Sequence, residues 1–278
     1  MPTYIVLGMH RSGTSAVAGM LDCLGVRMGP RKARADWVGR HWSNPMGHFE
    51  NPDIVWLNGL ILRYDGAGVH ESPGWDKIPE RARALAPQID RTLREAEGDL
   101  WGWKDPWSVL TVEEFLPKVH DPRFVFVYRN PAQVAQSLRR RDGTGAEESR
   151  RLTDRFAAAL AEVAARHPAI PRLELHFDEV MRDPQGTIDR LVAFAGLTPT
   201  PTQRRAAAEL IVDEPTLRLL GRRLAVRELA TYPKWLAWLV ARDLRYGRRN
   251  RAALWRNATQ ELTGVLRTVV TPTSGSGR

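Results

Sequence analysis

Between Gly8 and Ser15 the chain reads GMHRSGTS, directly behind the β-branched and aromatic run TYIVL at Thr3–Leu7. Such a run suits a buried parallel strand. A glycine turn from a strand into a helix leaves the first N–H groups of that helix without intrahelical partners, and the helix dipole favours negative charge there. Arg11 adds a full positive charge, and Ser12, Thr14 and Ser15 add hydroxyl donors. Gly8, His10, Arg11, Ser12, Gly13, Thr14 and Ser15 therefore form a candidate phosphate cradle. A loop that handles metal-bound triphosphates reads G-x-x-x-x-G-K-[ST]. Here Gly8 and Gly13 keep the glycine spacing, but Thr14-Ser15 follows with no lysine. The loop suits phosphate but lacks the group for a triphosphate on magnesium, so no metal is expected. The bland alternative for the loop taken alone is a turn that merely packs a helix on a strand.

A second set of candidates lies far away in sequence. Arg129 leaves the strong strand pattern RFVFVY at Arg123–Tyr128, and Ser137 follows eight residues later on the next helical stretch. Lys104 leaves another short strand pattern at Leu100–Trp103. In parallel sheets, ligands lie outside the carboxyl ends of the strands, which draws the Gly8 loop, Lys104 and Arg129 to one crevice. An arginine fork with a nearby hydroxyl can clamp a second phosphate. A surface ion pair is the competing role for Arg129.

The elements that must position these groups alternate. The first helix runs to about Leu24, with Val17, Leu21 and Leu24 on one face and Thr14 or Ser15 as its cap. Asn51 caps a helix over Pro52–Arg63, and a charged helix covers Pro79–Glu97. Val109–Val119 is helical with an interruption near Pro117. Pro131–Arg141 is a helix, Arg139–Gly145 a basic loop and Arg150–His167 a long helix. Arg172–Phe177 is a strand, and Pro184–Ala195 is a helix closed by Gly196. Arg27–His41 and Tyr64–Lys77 read as loops. Strands alternating with helices give an α/β fold of three layers, P-loop-type, with a central parallel sheet. The expected division is a domain over 1–200 and a basic helical extension over 201–278, ending in a frayed tail.

The chain has 278 residues, 43% of them hydrophobic, and a formal net charge of +9. Residues 1–200 hold 26 basic and 26 acidic side chains, whereas 201–278 hold 15 and 6, so the excess is confined to the extension. Such asymmetry points to an anionic partner or to solubility alone. Nucleic acid is not expected, because the basic tract lacks a strand-borne aromatic stacking pattern. Within it, Tyr232–Tyr246 places Trp235, Leu236, Trp238, Leu239 and Leu244 broadly on one helical side, flanked by arginines. Interfacial helices use this composition, so peripheral membrane contact through the C-terminal helices is one expectation; packing on the body as a lid or dimer contact is the other. The single cysteine, Cys23, excludes an internal disulfide and agrees with a reducing, cytoplasmic setting. No stretch reads as a targeting or membrane-spanning segment. Oligomeric state is left open.

Taken together, these motifs resemble the sulfotransferases that use 3′-phosphoadenosine-5′-phosphosulfate (PAPS). The 5′-phosphosulfate loop of that family is similar to GMHRSGTS, and its 3′-phosphate motif to Arg129-Asn130-Pro131 through Ser137. WGWKDPW at Trp101–Trp107 resembles the K-D-P segment of bacterial and tyrosylprotein-type members, and Leu173–Leu197 resembles the family's terminal strand–helix unit. The likeness covers about residues 3–200. Two positions depart from it: Trp107 stands where many relatives have arginine, which bears on substrate contacts, and His176-Phe177-Asp178 replaces an aromatic-Glu-Asp run. The resemblance implies PAPS as co-substrate, 3′,5′-ADP (PAP) as product and no metal. Two separated phosphate clamps then explain the missing lysine, since the donor carries phosphates at two positions.

Sulfuryl transfer should resemble phosphoryl transfer, with charge growing on the oxygen toward the leaving phosphate. Loop N–H groups, Arg11 and Lys104 are the candidates to meet it. By resemblance Lys104 is a transition-state lysine and Arg11 a 5′-phosphate ligand; the bland role for Lys104 is a salt bridge to Asp105 or another carboxylate. The acceptor needs a proton acceptor, and HWSNPMGHFEN at His41–Asn51 offers His48 and Glu50. Bacterial relatives carry a glutamate in such a segment, which favours Glu50, although Glu50 could simply favour the following helix N-terminus. The expected acceptor is a hydroxyl or amine on a carbohydrate, a lipid-linked glycan or a secondary metabolite. Competing readings are a nucleotide kinase-like phosphotransferase, disfavoured by the missing lysine, and a non-catalytic protein binding anionic partners.

Overall fold

The computed structural model describes residues 1–29, 41–62, 75–98, 100–142, 145–227, 229, 262–266 and 268–269. In chain order the elements are β1 (Thr3–Leu7), α1 (Thr14–Leu24), α2 (Pro52–Leu62), α3 (Ile78–Ala84), α4 (Ala86–Ala96), β2 (Trp101–Lys104) and α5 (Ser108–Phe115). There follow β3 (Pro122–Tyr128), α6 (Pro131–Asp142), α7 (Ala146–Arg166), β4 (Arg172–His176), α8 (Phe177–Arg182), α9 (Pro184–Ala195) and α10 (Pro201–Ala208). Residues 214–227, here α11, and 262–266 are also helical.

The strands form a parallel sheet in the order β2-β1-β3-β4. Successive strand residues point to opposite faces, so a sheet covered on both sides must be apolar throughout. Ile5, Leu7, Trp103, Phe124 and Phe126 face one core with residues of α2–α7, including Ile54, Leu57, Phe115 and Phe156. Tyr4, Val6, Val125, Val127 and Leu175 face the other, with Val17, Leu21, Ile188, Leu191 and Ala207 of α1, α9 and α10. Alternation therefore fixes three layers. Register pairs Val6 with Lys104 and Leu7 with Phe126, which brings the loop after β1 beside the carboxyl ends of β2 and β3.

Several local expectations change. The cap of α1 is Gly13, left-handed at φ 94, with no side-chain cap; Thr14 and Ser15 stand inside the helix. The Pro79–Glu97 stretch breaks at Leu85, because Pro87 near the start of α4 cannot donate to the preceding turn. Residues Arg139–Asp142 continue α6 instead of forming a loop. Phe177 opens α8 and does not end β4. The Asn51 cap holds: its side chain accepts from the Asp53 N–H at 3.0 Å. The breaks near Pro117 and at Gly196, itself left-handed, also stand. The amphipathic stretch Tyr232–Tyr246, the tail and most of the two long loops lie outside the described residues.

Candidate active site

The loop after β1 turns by its glycines. A side chain at Gly13 would fall 2.0 Å from the Phe177 ring, and its φ of 94 lies in the region that only glycine enters freely. A side chain at Gly8 would meet the Val127 carbonyl at 2.6 Å, so the loop lies directly against β3. Ser12 is buried and spends its hydroxyl on the Met9 carbonyl at 2.7 Å, which makes it a brace of the loop. Arg11 is left-handed at φ 66. Its Nε donates to Ser137 Oγ at 3.0 Å and another guanidinium nitrogen donates to the Ser43 carbonyl at 3.0 Å. One arginine thus joins the loop, the helix after β3 and the segment ahead of α2. His10 packs edge-on against Trp107 and Phe156.

Arg129, at the carboxyl end of β3, donates to the Arg11 carbonyl at 2.9 Å and to Gln133 Oε1 at 3.1 Å. Its guanidinium lies 5.1 Å from the centre of the Phe177 ring. Burial pulls its pKa below the ordinary arginine value, while Asp178 and Glu214 act the other way. Ser137 accepts from Arg11, so the hydroxyl and Arg129 meet through the loop and not by a direct bond.

Lys104 is the other anchor, only 1% exposed at the end of β2. Its Nζ donates to Ser15 Oγ at 3.0 Å and to Glu50 Oε1 at 2.5 Å. The salt-bridge partner is therefore Glu50 and not the adjacent Asp105. Glu50 keeps 24% of its side chain exposed, and His48 Nδ1 stands 3.9 Å from it. Burial drives the His48 pKa down to about 4, against the pull of Glu50, with Lys104, His41 and Arg11 also lowering it. His48 is neutral at pH 7.

Beneath this pair lies a polar network that the sequence reading did not pick out. Asn58 donates to Asp105 Oδ2 at 2.7 Å and Ser108 Oγ at 3.1 Å, and accepts from Thr111 Oγ1 at 2.7 Å. The Trp107 N–H donates to Asp105 Oδ1 at 3.1 Å, and the Trp103 indole to Ser108 at 3.2 Å. Burial pushes the Asp105 carboxyl above the usual carboxylate range and Glu50 adds to this, while Asn58, Trp107 and Lys104 oppose it. The signal was Asn58 itself, an amide within the apolar face Ile54, Leu57, Ile61 and Leu62. Phe177, which covers both Gly13 and Arg129, left no such signal.

Among the described residues no cluster of His, Cys, Asp and Glu could hold a metal, and no helix is long and apolar enough to cross a membrane. No curated protein matches the sequence. Among solved structures the chain is similar to sulfotransferase STF1 from Mycobacterium tuberculosis H37Rv, at 19% identity and a TM-score of 0.49 over 81% of this chain and 76% of that one. It is also similar to the sulfotransferase domain of the Synechococcus PCC 7002 olefin synthase, at 16% identity and a TM-score of 0.45 over 93% and 94%. Residues 2–201 match the profile of the Sulfotransferase family, a span that takes in β1, the glycine loop, Lys104, Arg129 and Ser137. By that match, the chain belongs to the sulfotransferase family.

Proposed function

We propose that this protein transfers a sulfuryl group from PAPS to a hydroxyl or amine of a carbohydrate, lipid-linked glycan or secondary metabolite. The observation that carries the reading is Lys104, whose single ammonium bridges Ser15 on the glycine loop and Glu50 on the segment opposite. A donor-side contact and an acceptor-side carboxylate thus converge on one buried charge. The residues fit the donor in two further respects. The glycines at 8 and 13 let the loop pack against β3 and Phe177 and lead into the N-terminus of α1, where backbone N–H groups suit an anion. Arg129 and Ser137 are both tied to Arg11, which supports their assignment to a second anion site next to the loop.

PAPS supplies the sulfuryl group on a 5′-phosphate that departs as part of 3′,5′-ADP. The loop N–H groups, Arg11 and Lys104 hold that phosphate and meet the charge that grows on it. Arg129 and Ser137 hold the 3′-phosphate. Glu50 accepts the proton of the acceptor as the new bond forms, and neutral His48 beside it positions the acceptor. The pairing with Glu50 gives the buried Lys104 a counter-charge, which offsets part of the cost of taking it out of water. Proton uptake by Glu50 then frees Lys104 for the leaving phosphate at the moment its charge develops.

The test incubates the protein with PAPS and a panel of glycan, phenolic and amine acceptors and follows both 3′,5′-ADP release and acceptor mass. Stoichiometric 3′,5′-ADP and an acceptor heavier by one sulfuryl group are expected. Tight binding of ATP with magnesium in place of 3′,5′-ADP would overturn the reading.

A further inference from the structure

The segment that carries Glu50 and His48 is a closed turn. His41 and Asn44 exchange backbone hydrogen bonds at 3.2 and 2.9 Å, and the Gly47 N–H returns to the Asn44 carbonyl at 3.0 Å. His41 Nδ1 is hydrogen-bonded to Ser43 Oγ at 2.8 Å, and its ring lies 6.0 Å from that of His48. Phe49 is buried against Gly19 of α1. These bonds close residues 41–47 on themselves, and His48, Phe49 and Glu50 follow directly from that closed stretch.

Trp42 is gripped from outside the family domain. A side chain at Gly221, within α11, would come 2.6 Å from the Trp42 carbonyl oxygen. A side chain at Gly264, in the helical stretch 262–266, would come 2.5 Å from the Trp42 indole. Glycine inside a helix weakens it relative to alanine, and close approach of another backbone or ring is what calls for it. Arg222 of α11 donates to the Val269 carbonyl at 2.8 Å, three residues beyond the 262–266 stretch. Ala225 and Val265 are buried. The start of α11 is also tied to α6, the helix of Ser137, through Glu214 and Arg140 at 3.2 Å. All of these contacts come from residues beyond 201, where the family match ends.

We infer that the helices beyond residue 201 are positioning elements of the acceptor side, which hold the 41–50 turn through Trp42 so that Glu50 and His48 face Lys104. The extension is therefore part of the site and not a separate appendage. The catalytic meaning rests on the function proposed above; the mechanical claim does not.

The full chain is tested by Gly264→Val, with the His48 imidazole followed by NMR as pH is varied and assigned through His48→Asn. The groups facing His48 are Glu50, Lys104, His41 and Arg11. In the wild type His48 should titrate at about 4. When the turn is released into water, it should move toward the ordinary value of about 6.5. The affinity for 3′,5′-ADP should be preserved. Gly264→Ala should move His48 less. Adding Trp42→Phe, whose smaller ring lacks the atoms that the new carbon would meet, should return His48 to its low value. An unmoved His48 in folded Gly264→Val overturns the inference, as does a failure of Trp42→Phe to rescue Gly264→Ala. A wild-type protein that ignores 3′,5′-ADP would defeat the donor assignment and leave the His48 result standing.

Discussion

Glu50→Gln separates the two tasks assigned to Glu50. The amide keeps the shape and one acceptor oxygen but carries no charge and takes no proton at neutral pH. Lys104, 1% exposed, then loses its anion. Removing one member of a fully buried pair costs about 3–5 kcal/mol. Glu50 is 24% exposed, so water reaches the site, and the amide still accepts a hydrogen bond; about 1–3 kcal/mol is the appropriate range. Loss of a general base should lower turnover by about 10²–10⁴-fold, equivalent to about 2.7–5.4 kcal/mol of barrier. The informative sign concerns ligand binding. In the wild type Lys104 is already neutralised by Glu50, whereas in the variant a bound phosphate becomes its anion. Melting with and without saturating 3′,5′-ADP should therefore show a lower melting temperature for the free variant but a larger rise on binding than in the wild type. Single-turnover transfer from PAPS gives the rate. A smaller ligand-induced rise in Glu50→Gln, or turnover within tenfold of wild type, would refute the assignment of Lys104 between donor and base.

Arg129→Ala should cost about 1.5–3 kcal/mol in 3′,5′-ADP affinity while leaving 5′-AMP affinity nearly unchanged; Ser137→Ala should do the same more weakly, and calorimetry that finds full discrimination in both would remove the second anion site. His48→Ala should slow transfer less than Glu50→Gln, and the reverse order exchanges their roles. Gly13→Ala places a side chain in the left-handed region and 2.0 Å from Phe177, so it should destabilise by roughly 2–5 kcal/mol in denaturant melts; wild-type stability would mean that the loop relaxes freely. His48 has a folded pKa of about 4 against about 6.5 unfolded, so the unfolded chain takes up a proton that the native state refuses. Its contribution to stability is complete above pH of about 6.5 and is lost as pH falls toward 4, and His48→Asn should flatten that acid loss.

The sheet was legible because its strands are short apolar runs at turn boundaries, and Val6, Lys104 and Arg129 follow from them directly. Where prediction erred, a local rule was outweighed. Pro87 broke a helix whose charge pattern continued past it, and Gly13 took the cap position because the loop needed a left-handed turn more than a side-chain cap. The grouping of the loop, Lys104 and Arg129 was readable from the rule that parallel sheets bind ligands at their carboxyl ends. The Lys104–Glu50 contact was not, since it pairs residues on unconnected segments and no periodicity encodes it. The same holds for Phe177 over Gly13 and for Trp42 beneath Gly264, both contacts between distant parts of the chain.

Arg11 and Trp42 place the 41–50 turn between two unlike restraints. On one side the Ser43 carbonyl is held by the guanidinium of Arg11, the same group that reaches Ser137. That contact is polar, and a side chain drawn toward a phosphate in the loop must lengthen it. On the other side Trp42 is packed against helical glycines, and packing of that kind resists displacement at every ångström. The turn is thus tied to the phosphate loop by a hydrogen bond and to the C-terminal helices by close packing.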